Sequence, residues 1–288
     1  MARIWPFLQK EEGRTTDFSY GGVLMWVDFF NYDYAIVDDT LFIRGVVEDN
    51  RDIPAFSLPV GKLRFHEALK LIREYCEEQG ITPEFSAVPE YALPEIEKCN
   101  PVKIEPLDHW SDYLYDARQL ATLQGKKMSK KRNHVNQFVA HYPDWSYEPL
   151  TAANAGAVLE FMKHYKEEAD DGFMSREENR LAEGLIKMIA EGDGVLRGGV
   201  LYNAPGEICA ISIGDVKGDT LYVHVEKALR EVIGSYEMVN KEFAAHQLSE
   251  NPQILYINRE DDGGDEGLRY AKESYHPVDL LKKYNIIF

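Results

Sequence analysis

The chain is predicted to be a mixed α/β protein made of two similar halves, and three observations predict it. Apolar residues recur at two periods, so that short β-type runs alternate with longer helical segments. The order of these elements, a strand meander followed by a helix, a strand and a helix, occurs twice along the chain. At 288 residues the chain is also long enough for two domains, each with its own core. The expected division is an N-terminal domain over 1–110, connecting helices over 111–143 and a C-terminal domain over 144–288.

The first half begins with an aromatic-rich segment, 18–34, that shows no single period. β-type runs follow at 34–37, 41–47 and 55–58, with Asp38-Asp39 as a tight turn between the first two. Leu63, Leu69, Ile72 and Cys76 then keep to one helical face, Glu74 and Glu77 lie away from it, and Gly80 is placed to stop the helix. A strand at 85–88, a helix at 91–98 and a strand at 102–105 complete this half. Residues 116–142 read as helical with a break at Gln124-Gly125, and 145–147 as extended.

Helices are expected at 152–168 and 176–191, separated by Asp170-Asp171-Gly172. β-type runs at 194–202, 208–215 and 220–226 are punctuated by Pro205-Gly206 and Lys217-Gly218-Asp219. A helix at 235–248, a strand at 254–257, a helix at 265–273 and a short tail close the chain. This repeated order resembles the core of acyl-coenzyme A N-acyltransferase (GNAT)-like domains. The expected architecture is therefore two such domains in tandem, each a central mixed sheet flanked by helices.

Composition narrows the function. The chain is 44% hydrophobic, 12% aromatic and 28% charged, as soluble globular proteins are. Its three cysteines, Cys76, Cys99 and Cys209, form no C-x-x-C pair, which argues against a disulfide framework or a cysteine zinc site and suits a reducing cytoplasm. The apolar start of the chain turns charged at Lys10-Glu11-Glu12, too early for a secretory signal, and no stretch has the length of a membrane span. A net charge of -17 argues against DNA and anionic membranes as partners. Any basic cluster on this background is therefore informative.

One such cluster exists. Residues 126–132 hold five of the 32 basic residues. On a helix, Lys127, Lys130, Lys131 and His134 fall at i, i+3, i+4 and i+7 and form one stripe, bordered by an apolar stripe of Met128, Val135, Val139 and Tyr142. Arg132 adjoins them. The functional reading is an anion site for phosphates at the lip of a cleft, with Gly125 loosening the helix entry. The other reading is a solvated basic face.

Two further constellations carry polar groups. Asn240 lies on the inward side of the helix at 235–248 with Tyr236, Val239 and Phe243, where it needs a partner in a ligand or in the next strand. His224 and Glu226 alternate along a strand, so they face one way as a general-base pair or as a solvated sheet face. The stretch from Asn258 to Glu266 is strongly polar and follows a β-type run, at the kind of strand end where α/β folds place ligands. Its carboxylates Asp261, Asp262, Asp265 and Glu266 precede a helix and would cap it. Ion pairs of Arg269 with Asp265 and Glu273, four residues away on either side, account for those charges without chemistry. The spacing does not fit a calcium loop, and no metal is expected.

Taken together, two segments resemble a known family. They are Tyr113-Leu114-Tyr115-Asp116 with Leu120, Leu123-Gln124-Gly125-Lys126-Lys127, Lys130-Lys131-Arg132-Asn133-His134 and Phe138, and then Asn258-Arg259-Glu260-Asp261 with Gly264, Glu266-Gly267-Leu268-Arg269, Lys272, Ser274-Tyr275 and Pro277. They resemble the conserved block of the DUF2156 family, which is similar to the C-terminal domain of bacterial phosphatidylglycerol lysyltransferases. The resemblance implies tandem acetyltransferase-like domains as in the FemABX peptidyltransferases, which move an aminoacyl group from aminoacyl-tRNA to an amine or hydroxyl. The lysyltransferases also carry a large membrane-embedded half that is not expected here, so a lipid acceptor is not implied. The strand-to-helix turns at 226–235 and 58–63 lack the Q/R-x-x-G-x-G/A loop that holds coenzyme A pyrophosphate.

The function expected is an acyl- or aminoacyl-transferase working by proximity and proton transfer. Lys127, Lys130, Lys131, Arg132 and His134 would hold the phosphate of a donor, acyl-CoA or aminoacyl-tRNA, so tRNA is a possible partner. Glu260, Asp261 and Glu266 would receive the acceptor amine and its proton. Asn240, Asn258, Arg259, Arg269, Lys272 and Tyr275 would support them. Two alternatives stand beside this: a non-catalytic module that binds a small anion or a peptide, and a structural pairing of Lys131 or Arg132 with Glu260 or Asp261.

Overall fold

A computed structural model describes the chain except for residues 48–49 and 169–172 and the side chains of 166–168 and 173–176. The turn expected at Asp170-Asp171-Gly172 lies outside the described residues. In chain order the elements are α1 (Trp5–Leu8), α2 (Tyr20–Trp26), β1 (Asp33–Val37), β2 (Thr40–Val47), β3 (Asn50–Phe56), β4 (Val60–Gly61), α3 (Phe65–Gln79), β5 (Glu84–Pro89), α4 (Leu93–Glu97) and β6 (Lys103–Pro106). They continue with β7 (Asp112–Asp116), α5 (Ala117–Thr122), α6 (Ser129–His141), β8 (Ser146–Pro149), α7 (Ala155–Glu168), α8 (Phe173–Ala190), β9 (Arg197–Ala204), β10 (Glu207–Lys217) and β11 (Thr220–Ala228). The last are α9 (Ser235–Glu250), β12 (Tyr256–Asn258), α10 (Glu266–Glu273), β13 (Asp279–Leu281) and β14 (Lys283–Ile287).

Two compact units result. One holds Met1–Tyr113, Glu260–Arg269 and Leu280–Phe288, and the other Leu114–Arg259 and Tyr270–Asp279. The first unit's sheet has the order β1-β2-β3-β5-β14-β6, with β4 on β2. Its strands pair antiparallel except β3 with β5. The expected linear cut at 110 and 143 has no place for β14, which returns from the far end of the chain to lie between β5 and β6. Lys282 and Lys283 hide this strand in the sequence, because adjacent lysines read as a solvated tail.

The helix expected from Leu63 to Gly80 forms as α3. Glu67 accepts the Arg64 backbone N–H at 2.9 Å to close its start, and Gly80, at φ +67°, ends it. Its buried face, Ala68, Leu69, Ile72 and Cys76, packs with Phe56, Phe85, Val88, Ile96 and Ile286. Each large apolar side chain so buried contributes about 1.5–3 kcal/mol.

The second sheet has the order β13-β7-β12-β11-β10-β9-β8. β11 and β12 run parallel, and the β12–β7 and β9–β10–β11 pairings are antiparallel. Sequence periodicity missed β7 because its first four residues are all buried, which removes the alternation that marks a half-exposed strand. In β10 and β11, Ile213 pairs with Val225 and Gly214 with Val223, leaving His224 as an extra residue in a bulge. Period-two alternation fails at that point. The expected His224 and Glu226 pair is replaced by two separate partnerships: His224 Nε2 lies 2.6 Å from Asp215 Oδ1, both side chains fully buried, and Glu226 binds Arg259 and Asn240.

Candidate functional site

Asp116 caps α5 by accepting the Gln119 N–H at 2.7 Å, and the chain leaves that helix through Leu123 in the left-handed region. The break expected at Gly125 is present, with φ +90°. The Arg132 guanidinium reaches back from α6 to donate to the carbonyl oxygens of Leu123 and Gly125, the latter at 2.7 Å. Arg132 thus ties the α5–α6 turn to the helix that follows. The buried residues of α6 are Val135 and Phe138, with Met128 just before it. Val139, expected on that stripe, is 41% exposed, and Phe138 takes its place inward.

The other cations of the basic stripe share a concavity. Lys127, Lys130, Lys131 and His134 line an open cavity of about 660 Å³ together with Asn133, Gln137, Tyr270, Glu273, Ser274 and His276. Lys127 and Lys130 are exposed, and Tyr270 is 73% exposed. Positive charge, hydrogen-bonding groups and an aromatic ring thus border one volume large enough for a nucleotide-sized ligand.

The back of this stripe rests on α9. Gly234 precedes α9 at φ +75°, and a Cβ added there would lie 2.3 Å from the His134 carbonyl oxygen. Only glycine permits that approach. It brings Glu237, in the first turn of α9, to 3.3 Å from Lys131 Nζ and 2.9 Å from His134 Nδ1. Burial pushes the Lys131 ammonium below its ordinary pKa, with Glu237 opposing. Burial would raise the Glu237 carboxyl, but the His134 hydrogen bond and the Lys131 charge together bring it below the usual carboxylate value.

Behind Lys131 lies a second ion pair. Arg259, at the exit of β12, donates from Nη2 to Glu226 Oε1 at 3.0 Å, and Asn240 Nδ2 donates to Glu226 Oε2 at 3.1 Å. Asn240 thus finds its partner on β11, the strand before α9, and not on the strand after it. Tyr275 is buried between two cations, its ring centroid 3.9 Å from Lys131 Nζ and 4.7 Å from the Arg259 guanidinium carbon. The Lys272 ammonium is buried and donates to the Arg259 carbonyl oxygen at 2.6 Å. Burial would lower the Arg259 pKa, but Glu226 together with Tyr115, Tyr275 and Glu237 outweighs it, so the guanidinium stays charged. Asn258 is fully buried in β12, where it pairs with Leu114 and Tyr222.

The carboxylates of the closing stretch lie in the first unit. Glu260 has φ +59°, rare for a residue with a side chain, and accepts from Thr16 Oγ1 at 3.2 Å. Asp261 and Asp262 accept the N–H groups of Gly263 and Gly264 at 2.8 and 2.9 Å, and Asp265 caps Leu268 at 2.6 Å. Only Asp265 therefore caps α10 as expected, and Asp261 and Asp262 instead close turns in the loop before it. Glu266 is exposed at the start of α10.

Arg269 corrects the expectation of pairing along the helix. It grips Asp262 with two bonds of 2.9 Å, and Tyr113 Oη donates to the same carboxylate at 2.7 Å. The Arg269 hydrogen bonds are the main reason that the Asp262 carboxyl is held down to about 2. Sequence reasoning also missed Glu237, Glu226 as an ion-pair partner, Tyr270 and His276. The only signal for Tyr270 and His276 was their nearness to the Ser274-Tyr275 motif.

Among the described residues no group of histidine, cysteine or carboxylate side chains is placed to hold a metal ion, and no helix is long and apolar enough to cross a membrane. Residues 10–287 match the family described as "Phosphatidylglycerol lysyltransferase, C-terminal". An uncharacterised protein, MYCGA3080 of Mycoplasmoides gallisepticum, is 24% identical over 176 residues, 60% of this chain and 55% of that protein. The match thus spans about half the length of that relative. A crystal structure of a conserved protein of unknown function from Bacteroides thetaiotaomicron is 31% identical, with a TM-score of 0.90 over 100% of this chain and 96% of that one. The C-terminal DUF2156 domain of a putative lysylphosphatidylglycerol synthetase from Agrobacterium fabrum shares the fold at 11% identity, with a TM-score of 0.69 over 99% and 90% of the two chains. With two mixed sheets flanked by helices in place and the match running through both the basic segment and the closing motif, the chain belongs to the family of phosphatidylglycerol lysyltransferase C-terminal domains.

Proposed function

We propose that this protein moves an aminoacyl group from aminoacyl-tRNA to an amine or hydroxyl acceptor. The observation that carries the proposal is the cavity of about 660 Å³ in which Lys127, Lys130, Lys131 and His134 stand with the exposed ring of Tyr270. Lysines at a cavity rim attract phosphate, and an exposed aromatic ring offers a face on which a base can stack. Aminoacyl-tRNA and acyl-CoA both present an adenosine and phosphates, so either fits this chemistry. The turn between β11 and α9, Leu229-Arg230-Glu231-Val232-Ile233-Gly234, has one glycine and a carboxylate. It does not form the glycine-rich cradle a pyrophosphate needs, which favours tRNA over coenzyme A. The family's description, which names a lysyl transfer, supports the same choice.

In this reading the acceptor N–H or O–H attacks the ester carbonyl carbon. A bond to nitrogen or oxygen forms, the ester C–O bond to the ribose breaks, and the ribose oxygen takes up a proton. In sum the acceptor gives up one proton and the ribose oxygen gains one. Lys127, Lys130, Lys131 and His134 hold the donor, Arg132 fixes the turn that carries them, and Asn240, Arg259, Lys272 and Tyr275 keep Lys131 in place.

The test is transfer from radiolabelled aminoacyl-tRNAs, with acyl-CoA in parallel, to a panel of amine and hydroxyl acceptors. Transfer or donor binding that falls at least tenfold in Lys127→Ala with Lys130→Ala is the expected result. Neither transfer nor binding with any charged tRNA or acyl-CoA would sink the proposal.

A further inference from the structure

The carboxylate of Glu237 was not evident from sequence, yet it holds two of the five basic groups that line the cavity. The same oxygen, Oε1, lies 2.9 Å from His134 Nδ1 and 3.3 Å from Lys131 Nζ. Its side chain is 13% exposed, and that of Lys131 is 14% exposed. The seat of α9 on α6 at Gly234 fixes the start of the helix that carries it.

Other groups facing Glu237 are already committed. Arg259 is paired with Glu226 at 3.0 Å, and the ring of Tyr275 lies between Arg259 and Lys131. Lys131 and His134 are therefore the members of the stripe whose nearest anion belongs to the protein itself. A phosphate entering the cavity meets Lys127 and Lys130 on its exposed side and must share the other two with a carboxylate of its own sign.

Resting on the donor-site reading above, we propose that Glu237 is an internal competitor for the cavity's cations: it holds Lys131 and His134, and a donor phosphate must take them from it. The physical consequence is a weakened and therefore releasable donor. Basic groups converging on a phosphate without opposition would favour retention of the spent donor, whereas a carboxylate that recaptures two of them as the phosphate leaves speeds its departure. Glu237 thus sets donor affinity without touching the reacting atoms.

The experiment uses inorganic pyrophosphate as probe and titration calorimetry as readout, on the full chain at neutral pH. Glu237→Gln keeps the shape of the side chain and its hydrogen-bonding capacity but removes the competing charge. It is expected to bind pyrophosphate about tenfold more tightly than wild type, the scale of one nearby like charge in a partly solvated site. Unchanged or weaker binding in a folded Glu237→Gln protein overturns the inference and leaves Glu237 as a support for Lys131.

A second measurement needs no substitution. In wild type, the His134 ring resonances should move on addition of pyrophosphate as the imidazole exchanges Glu237 for the probe. A His134 signal that stays fixed while Lys127 and Lys130 respond overturns the competition. Pyrophosphate binding that disappears in Lys127→Ala with Lys130→Ala supports the donor site independently. No binding by either wild type or Glu237→Gln overturns the donor reading and the inference together.

Discussion

Lys283 on β14 and Asp112 on β7 form an ion pair of 2.8 Å with side chains only 2% and 0% exposed, and Asp17 lies 2.8 Å from the same ammonium. Burial alone would lower the Lys283 pKa, but the charges of Asp112, Asp17 and Asp261 outweigh it, so the group stays ionised. A lone buried cation would be expelled or neutralised, and this one is retained because two carboxylates surround it. It fastens the last strand of the chain into the first unit. Lys283→Met should destabilise that unit by about 3–5 kcal/mol, because it leaves buried carboxylates without their counter-charge. Lys283→Met combined with Asp112→Asn should recover part of the loss. Equal denaturation midpoints for wild type and the single variant would rule this out.

The pairing of Asp262 with Arg269 predicts a pH dependence. The Asp262 carboxyl is lowered from 3.8 to about 2, mainly by its Arg269 hydrogen bonds. A folded-state pKa below the unfolded one means that the group contributes full stability above pH 3.8, and that the contribution is lost as pH falls through about 2. Arg269→Gln should therefore move the Asp262 pKa back up toward 3.8, measured by carbon NMR of the side-chain carboxyl. It should also flatten the fall in stability across that acid window. An Asp262 pKa that stays near 2 in the variant would show that Tyr113 and the Gly264 N–H suffice.

Gly234 predicts a steric effect. Its φ of +75° and the 2.3 Å between an added Cβ and the His134 oxygen act together. Gly234→Ala should cost about 2–4 kcal/mol, combining left-handed strain with overpacking. It should also separate Glu237 from His134, which the His134 ring resonances report. A variant with the wild-type melting temperature would show that α6 and α9 can part without cost.

How much was legible in the sequence follows from which features are local. The basic cluster was plain because five cations fall in seven positions, but the helical stripe was placed too early, since Lys126 and Lys127 lie in the turn before α6; α3 was plain because its apolar spacing and Gly80 agree. Pattern failed where burial erased periodicity, as in β7, or where a charge was buried by distant partners, as for Lys283 with Asp17 and Asp112. One inserted residue at His224 was enough to invalidate an alternation argument. Glu237 looked like any first-turn carboxylate, since its meaning depends on a helix approach decided by Gly234 and His134. Arg269 had plausible partners four residues away on each side, but the loop folded Asp262 into reach first.

Tyr270 gives the last prediction. It is 73% exposed, whereas Tyr275 on the same segment is 4% exposed, so its ring is not needed to hold the fold. A large aromatic left open at the rim of a lysine-lined cavity can stack on a base, and such stacking is worth about 1–3 kcal/mol per base. Tyr270→Ala should weaken binding of adenosine monophosphate about tenfold and leave pyrophosphate binding unchanged, since the phosphate contacts belong to the lysines. Tyr270→Phe should bind like wild type, because stacking uses the ring and not the hydroxyl. Lys127→Ala with Lys130→Ala should weaken both ligands. This crossed pattern, read by titration calorimetry at one fixed ionic strength, separates stacking from charge. If Tyr270→Ala weakened pyrophosphate as much as the nucleotide, the ring would be shaping the cavity and not reading a base.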